Sequence, residues 1–171
     1  MFNASKIKLA VSTGLAVAGI GIAALASVPA YASATTANLG VGNVLTLSGL
    51  TAAFTLSGAP ATTQTGLSAV TMNVKTNNRT GYNVTVQAAS ASMVGATVGN
   101  TDTIPVSTLT VKNNLGVYTA MSNSAATTVA LTAVKSTGTG DTVTNDYQAV
   151  IPWVNADTYS VTLNYIAANN P

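Results

Sequence analysis

The sequence has no histidine, no cysteine and no glutamate, and its only acidic residues are four aspartates, Asp102, Asp141, Asp146 and Asp157. Each absence removes a class of chemistry. Without histidine the chain lacks the commonest general base, the commonest zinc ligand and the H-E-x-x-H helix of metalloproteases. Without cysteine it has no thiol nucleophile, no thiolate metal site and no disulfide, so the fold must be held by its core. A glycosidase-type carboxylate pair would need distant aspartates brought together by the fold. No G-x-S-x-G elbow and no P-loop occurs, and the serines and lysines form no local signature. The chain is expected to be non-catalytic, with no cofactor and no metal.

Charge is scarce too, at 6% of residues. The formal net charge of +2 owes everything to Lys6 and Lys8. From residue 35 onward, Lys75, Arg79, Lys112 and Lys135 balance the four aspartates, and the remainder is neutral. Such a chain has no electrostatic attraction for nucleic acid or an anionic membrane, and little repulsion from copies of itself. The one oxygen-rich stretch, GTGDTVTND, offers Asp141, Asn145 and Asp146 to a cation such as calcium, but without the EF-hand spacing. It reads as a loop followed by a strand whose acids face water.

What is present begins with an export pattern. Lys6 and Lys8 precede the apolar run Gly14–Ala26, Pro29 interrupts it, and Ala30-Tyr31-Ala32 and Ala32-Ser33-Ala34 supply small residues at signal-peptidase spacing. The expectation is a secretory signal over residues 1–34, cleaved after Ala32 or Ala34, and one domain over 35–171. The product would be extracellular, at the cell surface, with no stable membrane insertion after cleavage. An uncleaved anchor over Leu9–Ala32 is the alternative.

Beyond the signal the pattern is alternation, with no helical period. Val70, Met72 and Val74 share one phase, as do Tyr82, Val84 and Val86. Asn77–Gly81 lies between them, rich in turn-tolerant residues, and predicts a hairpin. Near the C-terminus, Tyr147, Ala149, Ile151 and Trp153 precede a turn at 154–157, and Tyr159, Val161, Leu163 and Tyr165 follow it, predicting a second hairpin. Pro152 belongs near a strand end or on an edge. Further strands are expected at Asn43–Leu47, Ala53–Leu56, Ile104–Val111, Val117–Met121 and Thr127–Val134, with a loop at Ser136–Asp141. Many short threonine- and valine-rich strands joined by Gly/Asn turns predict an all-β fold, an antiparallel immunoglobulin-like β-sandwich. Tyr82, Tyr159, Tyr165 and Trp153 all occupy the apolar phase, so core is expected for each. Trp153, at the lip of the last turn, is also the candidate contact residue.

Two stretches, TGYNVTVQAAS and DTYSVTLNYIAANNP, resemble the signature strands of WxL-type domains, found on the surface of Gram-positive bacteria, and of related secreted β-sandwich proteins. Tyr82-Asn83-Val84 stands where the first W-x-L lies and Tyr165-Ile166-Ala167 where the second lies. Neither has the tryptophan or the leucine. Tyr159, Leu163 and Pro171 fall at matching positions. The resemblance implies a β-sandwich held non-covalently to the cell wall, so the expected partner is wall polymer or a surface protein. The alternative is a self-associating pilus or fibre subunit: the charge-free stretch Thr35–Gly58 could add as a strand to a neighbouring copy.

Overall fold

The structure is a computed structural model that describes residues 34–113 and 116–171. The expected signal, apart from Ala34, lies outside them. All strands fall within the compact unit Gly40–Pro171. They are β1 (Leu45–Ser48), β2 (Thr63–Thr76), β3 (Tyr82–Ala88), β4 (Ser92–Gly95), β5 (Thr103–Pro105), β6 (Leu109–Lys112), β7 (Tyr118–Ala120), β8 (Thr127–Leu131), β9 (Asp141–Val150), β10 (Tyr159–Ser160) and β11 (Leu163–Asn169). One 3₁₀ turn, Val106–Thr108, separates β5 from β6. Among the described residues there is no α-helix, and every strand pairing is antiparallel. The fold is all-β.

Among the described residues three sheets form, in the orders β1-β2-β9-β6-β7, β11-β3-β8 and β10-β4-β5. The first two contribute to one apolar cluster. Val70, Met72 and Val74 of β2, Leu109 and Val111 of β6 and Val143 and Tyr147 of β9 come from one sheet; Tyr82, Val84, Val86 and Ala88 of β3 and Val129 of β8 come from the other. The alternation read from sequence is therefore real, and it points every second side chain into this core.

Neither expected hairpin exists. β2 pairs with β1 and β9, whereas β3 pairs with β11 and β8. Asn77–Gly81 carries the chain from one sheet to the other. Likewise β9 pairs with β2 and β6, β11 pairs with β3, and Ile151–Thr158 links different sheets. The reason is burial. As a hairpin, Val70, Met72 and Val74 would lie beside Tyr82, Val84 and Val86 on one face, still needing a cover. On two sheets the two sets cover each other, and each buried side chain of this size contributes about 1.5–3 kcal/mol.

The remaining differences are local. Ala53–Leu56 forms no ladder, although Phe54 and Leu56 pack on the core and the Phe54 ring lies 4.5 Å from that of Tyr147. The expected strand Ile104–Val111 is divided after Pro105, which has no N–H to extend a ladder. β4 has only four residues and no sequence signal. β2 bulges between Gly66 and Val70, where Ser68 has φ 48° and its N–H donates to Asp146 Oδ1 at 2.7 Å. That bond, with the Lys112 ammonium 3.4 Å away, holds the Asp146 carboxyl below its usual range.

Candidate functional site

The segment after β9 is where the side chains with binding chemistry gather. It first runs against the chain before β2, with Ile151 N–H donating to Thr62 O at 2.9 Å and Ala61 N–H to Ile151 O at 2.8 Å. Farther along, the turn after β4 grips it. Asn155 N–H donates to Asp102 Oδ2 at 2.8 Å, and Asn155 Nδ2 to Asn100 Oδ1 at 3.3 Å. Asp157 accepts from Asn100 Nδ2 at 2.7 Å, from Thr97 N–H and Oγ1 at 3.0 Å each, and from Thr158 N–H at 2.7 Å. Tyr159 donates its hydroxyl hydrogen to Asn155 O at 3.0 Å and accepts from Asn100 Nδ2 at 3.0 Å. The Asn100 amide and the surrounding N–H groups hold the Asp157 carboxyl far below the ordinary carboxylate range.

On this pinned segment Trp153 is 90% exposed. That corrects the expectation of core packing. The alternating phase that buries Tyr147 ends with β9 at Val150, so Trp153 lies beyond the strand and its phase predicts nothing. Pro152, expected near a strand end, falls there too. Pro152 and Val154 line a groove of about 840 Å³ that also borders Phe54, Leu56, Leu163 and Tyr165, while Trp153 stands clear of it. An exposed indole offers a flat apolar face and one N–H donor, which suits stacking on a sugar ring or packing against a protein.

The other expected positions are structural. Tyr82 and Val84 are buried on β3, and the Tyr82 hydroxyl reaches Asp141 Oδ2 at 3.4 Å. Burial, then the Asp141 charge, pushes the Tyr82 phenol up to about 12. Leu163 and Tyr165 pack on the core from β11. The Tyr165 hydroxyl lies 2.5 Å from that of Tyr147, and burial raises its phenol to about 12. Tyr159 is half-buried in the polar cluster described above. The two WxL-like stretches meet as neighbours, with Val84 opposite Ala167 and Val86 opposite Tyr165.

The candidate cation ligands do not converge. On β9, Asn145 points into the core, where its Nδ2 donates to Val129 O at 3.2 Å and Lys112 O at 3.3 Å, while Asp146 points outward to Ser68 and Lys112. Asp141 is engaged with Thr137 N–H and Tyr82. The turn Thr97–Asp102, which orders the Trp153 segment, went unnoticed in the sequence. Its trace there was only the polar composition TVGNTD. No protein-family model matches the chain, and no curated protein matches it either.

Proposed function

We propose that this chain is an exported, non-catalytic module with an immunoglobulin-like β-sandwich form, acting at the cell surface by binding wall polymer or another surface protein. The observation that carries the reading is Trp153: a large apolar side chain, almost wholly in solvent, on a segment tied down by Asp102, Asn100 and Asp157. With its backbone already fixed, only the side-chain rotation of Trp153 remains to be lost on binding, which favours an exposed tryptophan as an anchor. Two sheets sharing one core support the sandwich form. The pairing of β3 with β11 supports the WxL-like reading, because both signature-like stretches then lie side by side. The signal pattern supports export. A neutral, charge-poor domain favours an uncharged surface over nucleic acid or an anionic membrane.

Co-sedimentation of the protein with isolated bacterial cell walls tests this, with a tube lacking walls as control. Pelleting only with walls, reduced at least tenfold in affinity by Trp153→Ala, is the expected result. Protein that stays in the supernatant with walls present overturns wall binding. Pelleting that Trp153→Ala leaves unchanged removes Trp153 from the contact.

A further inference from the structure

The three sheets end in six margin strands: β1 and β7, β10 and β5, β11 and β8. An edge strand presents unpaired N–H and C=O groups to any second strand, and folded proteins blunt such edges by brevity, charge, proline or bulges. β1, β5, β7 and β10 have four residues or fewer, β5 ends in Pro105, and β8 meets β3 through a register shift. β11 has none of these protections. Its seven residues, LNYIAAN, hold no charge and no proline, and they pair with β3 without a shift.

The bonds from Ala89 N–H to Thr162 O and from Asn170 N–H to Gly81 O set the phase of that ladder. Asn164, Ile166 and Ala168 therefore bond to β3, and the backbone groups of Leu163, Tyr165 and Ala167 turn outward. No backbone hydrogen bond from another described residue reaches them. β1 comes close at the Asn169 end, where Thr76, the ladder partner of Leu45, donates its hydroxyl to Asn169 Oδ1 at 2.8 Å. Toward Leu163 the edge borders the groove instead, with Val161, Leu163, Tyr165, Phe54 and Leu56 in its lining.

The same chain holds a segment with the properties of a guest strand. Residues 34–41, ATTANLGV, form no strand and carry no charge, and they lead into Gly42–Val44, where Asn77 Nδ2 donates to Gly42 O at 2.7 Å and Val44 N–H donates to Asn77 Oδ1 at 2.8 Å. Ala37, Leu39 and Val41 continue the phase of Leu45 and Leu47, yet Leu39 is 93% and Val41 81% exposed. At about 3.3 Å per residue these eight residues reach about 26 Å, and the seven of β11 cover about 23 Å.

We propose that residues 37–41 of one copy add as a strand to the outward edge of β11 in a second copy, with Leu39 and Val41 entering the groove. Donor and acceptor are different surfaces, so each copy gives one strand and receives another, and the contact propagates as an open chain of copies. The neutral charge from residue 35 onward does not oppose this. The inference does not depend on wall binding, and its test uses no walls.

The chain has no cysteine, so single introduced cysteines report contact without background. Full-length Val41→Cys chain is mixed with full-length Leu163→Cys chain under mild oxidation, and mixed disulfides are followed on non-reducing gels. Val98→Cys, fully exposed in the turn after β4, is the control acceptor. The expected result is mixed-disulfide formation at least tenfold faster with Leu163→Cys than with the control, and loss of that advantage when the donor also carries Leu39→Asp. Ala167→Cys, with Ala37→Cys as its donor four residues along the guest strand in an antiparallel addition, is the second pair, used if Leu163→Cys loses its β-sheet circular dichroism. Rates no faster than the Val98 control at either acceptor, as random aggregation would give, overturn the proposal.

Discussion

Two segments expected to close hairpins are both crossovers between sheets, and they are held differently. Asn77–Gly81 joins β2 to β3, and Ile151–Thr158 leads from β9 toward β10. The first is held from inside the molecule. Asn78 Nδ2 donates to Gly81 O at 2.9 Å and to Asn170 O at 2.7 Å, and Thr76 N–H donates to Ser136 Oγ at 2.9 Å. Gly81, at φ 80°, sits so close to Thr132 that any Cβ would collide with its carbonyl oxygen. The second is held from outside, by the Thr97–Asp102 turn, and leaves its tryptophan in solvent. One crossover closes the core; the other uses a comparable number of hydrogen bonds to present a side chain. Rigidity alone therefore does not distinguish a crossover that closes the core from one that leaves a side chain in solvent. The destination of the apolar side chain does.

The contrast can be broken at several strengths. Tyr82→Ala, at the exit of the first crossover, empties a fully buried ring position and is expected to cost about 3–5 kcal/mol in urea unfolding. A cost near zero would mean that the first crossover is not core architecture. Asn78→Ala removes its two carbonyl bonds from the crossover, while the Gly81 carbonyl keeps the Asn170 N–H and the Asn170 carbonyl keeps the Thr80 hydroxyl, and it should cost about 0.5–1.5 kcal/mol in the same measurement.

The second crossover responds to pH. Asp157 has its carboxyl depressed in the folded state against an unfolded value of about 3.9. Its contribution is thus present in full above the unfolded value and falls away as pH drops below about 4. The stability advantage of the native protein over Asp157→Asn should be greatest near neutrality and shrink on acidification, with the effect of Asp146 cancelling between the two proteins. An advantage independent of pH would show that the Asn100 and Thr97 donors do not select the charged form. Smallest of all is Trp153→Ala, expected to change stability by less than about 0.5 kcal/mol because the ring has almost no contacts to lose. A larger loss would return Trp153 to the core.

The alternation of Val70, Met72 and Val74, and of Tyr82, Val84 and Val86, was legible because a strand changes face at every residue. Their partners were not legible. The same alternation serves a strand bonded beside another and a strand stacked across the core from it, and a five-residue turn permits both. At the candidate site, Trp153 was legible only as a candidate for contact, and its phase pointed to the core although it is 90% exposed. The turn that pins its segment was not legible, because Asn100 and Asp157 are distant in sequence and only folding makes them neighbours. Ala53–Leu56 failed for a related reason: its apolar residues are used by the core, but no strand is placed to bond its backbone.

Composition and periodicity alone dictate an all-β chain, since side-chain chemistry and face alternation are local properties. The missing histidine, cysteine and glutamate narrow its chemistry in the same way. Sheet membership, the exposure of Trp153 and the unguarded edge of β11 belong to the tertiary structure. Each depends on which distant strands cover one another, and the burial energy that decides it exists only once the sheets have met.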